Sequence, residues 1–198
     1  RRSSDLGILD NIRYIVMQSD DQKLKPWKTT AQEIVFENKW FKIRKRHMQT
    51  PAGAELDYFI HEAPDSVICV CVNDDNKVLV ERQYRPPVEK VSVDYPAGRA
   101  EADDASTEAA IRRELLEEVG FTAKTIKQLA VIDSEPGFSI KRTHVFLAQG
   151  SIDTEATSEE TENIIAEFVE PSEILAMIAR GEMACTFCLS ATLLAFKE

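Results

Sequence analysis

The stretch GRAEADDASTEAAIRRELLEEVGF, residues 98–121, decides how the rest of the chain is read. Ser106 is placed to cap a helix, because its hydroxyl can accept from an unpaired first-turn amide. Glu108 adds a carboxylate where the helix macrodipole favours one. Residues 107–119 contain neither Gly nor Pro, and Gly120 stands where a glycine ends a helix. The spacing therefore predicts a helix over 107–119. Residues three and four apart share a helix face, so Glu114, Glu117 and Glu118 point the same way. Ile111, Leu115 and Val119 form a neighbouring apolar stripe suited to a core. Carboxylates crowded in this way repel one another unless water or a cation lies among them. The face is either a plain solvated one or a platform for a hard divalent cation.

Its frame favours the second. Pro96-Ala97-Gly98 and a short acidic loop precede Arg113-Glu114-Leu115-Leu116-Glu117-Glu118-Val119-Gly120-Phe121. This resembles the box of the Nudix hydrolases, G-x5-E-x7-R-E-U-x-E-E-x-G-U with U apolar. The second half matches at every fixed position. The first half departs, with Ala105 where the family has Glu and Arg99 where it has Gly. Gly98 and Asp104 fit if the loop carries one extra residue and Asp replaces Glu. The resemblance implies that the first carboxylate supports the box rather than binding metal, so catalysis is expected to survive the change. A catalytically impaired module that binds a nucleotide is the alternative this departure raises.

The chain has 198 residues, a length for one domain with a sizeable core and a small appended segment. A net charge of −10 argues against nucleic-acid or acidic-membrane partners. An anionic substrate would need cations and local basic residues here. With no signal-peptide pattern and no apolar run of about 18 residues, a soluble, reducing, cytoplasmic setting is expected. Cys69, Cys71, Cys185 and Cys188 could together make a four-thiolate zinc site. However, Cys69 and Cys71 sit inside the apolar run 67–72 and read as buried strand residues, so no such site is expected.

Along the chain, 1–31 is weakly patterned and reads as an N-terminal arm, with a dimer contact as one role. Strands are expected at 32–36, 40–48 and 56–61, joined by turns at 37–39 and 50–53. Together, residues 32–62 read as a small antiparallel β unit. The region 63–198 comes next as the main domain. Its strands are expected at 66–72, 77–83 as a hairpin partner, 91–95, 126–132, 142–148 and 164–169. Helices are expected at 171–180, after Pro171, and at 185–197. Residues 150–163 read as a long acidic loop, which is either solvated or functional.

Several of these segments resemble the ADP-ribose pyrophosphatase branch of the Nudix family. That resemblance implies an α/β Nudix fold: an α/β/α sandwich with a mixed sheet beside the N-terminal antiparallel β unit. Trp40 and Tyr58, which strand packing alone would also explain, become candidates to stack on a nucleobase. Arg85, in Gln83-Tyr84-Arg85-Pro86-Pro87, becomes a candidate for a substrate phosphate, since a guanidinium offers a two-pronged fork. The Pro136-Gly137 loop would line the substrate. The Ala97 carbonyl, Glu114, Glu117 and Glu118 would hold Mg²⁺, with Mn²⁺ as a substitute, and Glu162 would join from the acidic loop. Arg113 is expected to pair with a box carboxylate rather than with substrate. Glu160 or Glu162 would act as general base, with Glu117 also among the catalytic candidates. The implied reaction cleaves the pyrophosphate of ADP-ribose or a related nucleoside diphosphate sugar, in a homodimer. Another substrate, such as GDP-mannose or a dinucleotide, is the second alternative.

Overall fold

The computed structural model describes residues 25–153 and 164–196. The chain divides into two compact units, Arg1–Glu33 with Lys45–Tyr58 and Ile34–Arg44 with Phe59–Glu198. Strands β1 (Lys28–Glu37), β2 (Lys42–Gln49) and β3 (Glu55–Glu62) form a small antiparallel sheet in that order. Local side chains fix its turns. The Asn38 Oδ1 accepts from the amides of Trp40 at 2.8 Å and Phe41 at 2.9 Å. Asn and Asp favour turns for this reason. In the first unit Trp27 meets Tyr58 edge-on with ring centres 6.4 Å apart. Asp57 there pairs with Lys45 at 2.9 Å and with His47 at 3.0 Å.

The second unit holds a seven-stranded mixed sheet. Its strands are β4 (Ser66–Val72), β5 (Val78–Arg85), β6 (Lys90–Asp94), β7 (Ala97–Arg99), β8 (Phe121–Asp133), β9 (Arg142–Ile152) and β10 (Ile164–Val169). The order is β10-β5-β4-β9-β8, with β6 added beside β5 and β7 beside β4. Among the described residues of this sheet, only β4 and β9 run parallel. Its described helices are α1 (Thr107–Val119), α2 (Pro171–Ala179) and α3 (Thr186–Ala195).

Successive strand residues face opposite sides of a sheet, and the residues of β4 divide accordingly. Val67, Cys69 and Cys71 pack with Ala110, Ile111, Leu115 and Val119 of α1. Ile68 and Val70 pack on the other side, with Ile174 and Met177 of α2 and Cys188 and Ala191 of α3. The result is the three-layered α/β/α sandwich expected of the sequence. The sheet also separates the cysteines, because Cys69 and Cys71 lie in the α1 layer and Cys188 in the α2/α3 layer. A site joining all four thiols is thereby excluded.

Helix α1 begins and ends where its sequence says it should. The Ala109 amide donates to Ser106 Oγ at 3.1 Å, and Gly120 adopts a left-handed conformation with φ of 64°. A side chain at Gly120 would be strained there. Ile111, Leu115 and Val119 are buried. Truncating Leu115 to Ala would cost about 2–5 kcal/mol, the range for emptying a packed core position.

The expected hairpin between β4 and β5 is different. Those strands meet at Val72 and Val78, while β5 pairs with β6 from Glu81 to Arg85. Pro86–Val88 makes a tight 3-10 turn followed by Glu89 at φ of 51°. This turn folds β6 back onto the edge of β5 that a longer hairpin would have used. The strands β8 and β9 run longer than their patterns suggest, so β9 continues to Ile152. The remainder of the acidic loop, including Glu160 and Glu162, lies outside the described residues, as do residues 1–24 of the N-terminal arm.

Candidate active site

The box helix α1 and strand β7 are stitched together by main-chain donors. The Ala97 amide donates to Glu118 Oε2 at 3.2 Å, and the Arg99 amide to Glu114 Oε1 at 3.1 Å. Gly98 lies between them. A Cβ there would fall 2.0 Å from the Glu114 Cδ, so glycine is what lets the Glu114 carboxyl lie against β7 in this position. Glu117 Oε2 accepts from Arg113 at 2.9 Å, the box pairing expected for Arg113.

Arg113 also organises the lead-in loop. Its Nε and Nη2 reach Asp104 Oδ1 at 3.2 Å and Oδ2 at 3.1 Å, and its Nη2 donates to the Arg99 carbonyl at 3.0 Å. Asp104 Oδ2 further accepts from the Glu101 amide at 2.8 Å. A tight turn over Glu101 to Asp104 absorbs the extra loop residue and delivers a carboxylate to Arg113. Asp104 thus performs the supporting task that its position relative to Gly98 implies. The ion pair keeps the Asp104 carboxyl below its usual range and raises Arg113 further.

Glu114, Glu117, Glu118, Ala97, Arg85 and Trp40 all line one open cleft of about 1100 Å³. Burial pushes the Glu114 carboxyl above its usual range, opposed by the Arg113 guanidinium and the Arg99 amide. Arg85 is tethered by Asp94, whose Oδ2 accepts from its Nε at 3.0 Å and Nη2 at 2.9 Å. Arg99 lies over the Trp40 ring at 4.9 Å, with Lys39 over the same ring at 4.2 Å. Arg99 and Lys141 add two cations to the cleft wall that the sequence did not single out. Burial and the nearby Arg99 lower the pKa of Lys141. Their only sequence signals are adjacency to Gly98 and to the loop after Pro136-Gly137.

Other candidates lie elsewhere. Tyr58 belongs to the other compact unit. Pro136 and Gly137 sit in the turn between β8 and β9, closed by the Phe138 and Ser139 amides on the Glu135 carbonyl at 2.9 and 2.8 Å. They do not line the cleft.

The donor set suits a hard divalent cation. Three carboxylates of one helix, beside a strand held close by a glycine, offer the oxygen ligands that Mg²⁺ or Mn²⁺ prefers. The residues present therefore fit such an ion.

Known proteins share this chain's sequence pattern and its fold. The NUDIX domain model matches residues 62–186. The ADP-ribose pyrophosphatase of Bacillus subtilis (strain 168) is 33% identical over 147 residues, covering 74% of this chain and 77% of that one. The ADP-ribose pyrophosphatase of Mycobacterium tuberculosis is 26% identical over 170 residues, covering 84% and 82%. A solved structure titled an ADP compounds hydrolase matches with a TM-score of 0.77 at 20% identity, over 87% of this chain and 93% of that one, a likeness of fold. The domain model spans more than half of the chain and the Bacillus relative is 33% identical over 74% of it, so this chain belongs to the Nudix family of hydrolases.

Proposed function

We propose that this Nudix hydrolase cleaves the pyrophosphate bond of ADP-ribose or a related nucleoside diphosphate sugar, releasing a nucleoside monophosphate and a sugar phosphate. One observation carries the reading: Glu114, Glu117 and Glu118 share a cleft with the cations Arg85, Arg99 and Lys141. A pyrophosphate is anionic, so it needs such cations within an acidic protein. The names of the Bacillus and Mycobacterium relatives point to the same substrate class.

Glu114, Glu117, Glu118 and the Ala97 carbonyl would hold Mg²⁺, or Mn²⁺ in its place. When bound, the ion neutralises phosphate charge and lowers the pKa of water. Arg85, Arg99 and Lys141 bind the phosphates, and Trp40 stacks on the base. Water oxygen attacks phosphorus, the bridging P–O bond breaks, and the leaving phosphate keeps the bridging oxygen. Glu160 or Glu162, outside the described residues, takes the proton from water, with Glu117 as the candidate on α1. The cleft volume of about 1100 Å³ accommodates a ligand of this size.

We assign the chain to a homodimer, supported by Ile34, Val35 and Phe36 of β1, which are 43–49% exposed. Four free thiols support a reducing, cytoplasmic setting. No helix among the described residues is long and apolar enough to cross a membrane.

The test is a panel of ADP-ribose, ADP-glucose, GDP-mannose and NADH with product analysis. AMP and ribose 5-phosphate from ADP-ribose, formed faster than products of the others, is the expected result. Faster cleavage of another member would move the substrate. Binding of ADP-ribose without cleavage at any Mg²⁺ or Mn²⁺ concentration would make the chain a binding module.

A further inference from the structure

Cys185 and Cys188 take no part in the proposed hydrolysis, yet both line the same cleft, as does Asp94. Cys185 is the N-cap of α3 and Cys188 sits in its first turn, so the three-residue spacing turns both thiols toward one side. Asp94, at the end of β6, is 5% exposed and Cys188 is 1% exposed. The two sulfurs and one carboxylate oxygen of Asp94 lie within 4.8 Å of one another.

The carboxylate of Asp94 divides its work. Its Oδ2 holds Arg85, while Oδ1 accepts from Ser92 Oγ at 3.0 Å and from the Cys188 thiol at 3.6 Å. Ligands of a tetrahedral zinc ion stand ~3.5–3.8 Å apart, given metal–ligand bonds near 2.3 Å for sulfur and 2.1 Å for oxygen. The Cys188–Asp94 separation already falls in that range.

We infer that Asp94, Cys185 and Cys188 form a binding site for a soft divalent cation of the zinc class, in the wall of the catalytic cleft with one coordination position facing it. Two thiolates and one carboxylate carry a charge of −3, and the Arg85 guanidinium offsets one unit. A divalent cation neutralises the remainder. Binding displaces the Cys185 and Cys188 thiol protons to solvent and replaces the thiol and Ser92 hydrogen bonds on Oδ1, while Oδ2 keeps Arg85. Sulfur donors discriminate against Mg²⁺ and the all-oxygen face of α1 discriminates for it. One cleft thus sorts two cations by the softness of its donors. This differs from the four-thiolate arrangement that the sheet excludes, since Cys69 and Cys71 have no part in it.

Reduced full-length protein titrated with Co²⁺ tests the site, because cobalt bound by thiolate gives a sulfur-to-metal charge-transfer band. One equivalent should produce the band, Zn²⁺ should displace it, and excess Mg²⁺ should not. Cys185→Ser should weaken binding by more than the ~10–100-fold typical of losing an outer-shell partner. Asp94→Asn should also weaken it. Glu118→Gln and Cys69→Ser should leave the band intact, which separates this site from the box. Cys185 is partly exposed, so its replacement keeps the test valid if Cys188→Ser fails to fold. Absence of the band, its persistence in Cys185→Ser, or a Cys185–Cys188 disulfide formed in reduced-glutathione buffer would overturn the proposal.

Discussion

Asp104 grips Arg113 with both carboxylate oxygens, at 3.1 and 3.2 Å, from the far side of a loop one residue longer than the family pattern. The ion pair lowers the Asp104 pKa below its ordinary 3.8, with the Arg113 hydrogen bonds as the main cause and the Glu101 amide second. A carboxyl depressed by folding stabilises fully above its unfolded pKa and loses that contribution as pH falls through its folded value. Asp104→Asn should therefore unfold at lower urea than the parent at pH 7. The gap should close as pH drops below about 4. Urea midpoints across that range check this, and a gap unchanged at pH 3 would contradict the pairing.

Glu118→Gln preserves an oxygen for the Ala97 amide, so the fold should survive. The variant loses the charge that a hard cation needs. Turnover of ADP-ribose with Mg²⁺ should fall by at least about 100-fold, since cation-mediated charge stabilisation is worth several kcal/mol. Melting curves should match the parent. Parent-like turnover would remove Glu118 from the metal site.

Gly98→Ala separates stability from activity. The new methyl would meet Glu114 Cδ and Oε1 at 2.0 and 2.1 Å. These are atoms of a flexible side chain, which can swing aside at little cost to the fold. Glu114 would then leave the Arg99 amide and its place in the cleft. We expect a small change in melting temperature, a lower kcat and a higher Mg²⁺ concentration for half-maximal rate. A large loss of stability with unchanged Mg²⁺ dependence would refute this.

Trp40→Ala should raise KM for ADP-ribose. Stacking on a base is worth ≈ 1–3 kcal/mol by alanine substitution, or roughly 5- to 150-fold. Arg99, which lies over the same ring, should gain mobility. Steady-state kinetics with ADP-ribose decide it, and an unchanged KM would return Trp40 to a packing role.

Arg85→Lys keeps the charge but loses the fork held by Asp94. A charged hydrogen bond contributes ≈ 1.5–3 kcal/mol, so KM should rise about tenfold or more. An Arg85→Lys enzyme with parent kinetics would show that the guanidinium does not touch phosphate.

What the sequence made legible was local. The helix at 107–119, its Ser106 cap and its Gly120 terminus depend on neighbours in the chain, and so does the strand Ser66–Val72. The partner of β5 was not legible, because a two-proline turn and Glu89 bring β6 back onto it. The tether from Asp94 to Arg85 and the approach of Lys141 depend on which strands become neighbours, and neither Asp94 nor Lys141 carries a motif. Asp104 was readable only as half of a pair. Its role became plain when the turn from Glu101 set its carboxylate against Arg113.

Every buried residue of β4 from Val67 to Cys71 packs in one of the two layers. The strand is thus common property of the box helix and the two C-terminal helices. Neither layer can open while the other stays intact without baring half of β4 to water. The amides of Cys69 and Val70 should accordingly exchange with solvent only when the whole domain unfolds. A cavity made at Val70, on the side away from α1, should shorten the lifetime of the box helix as well.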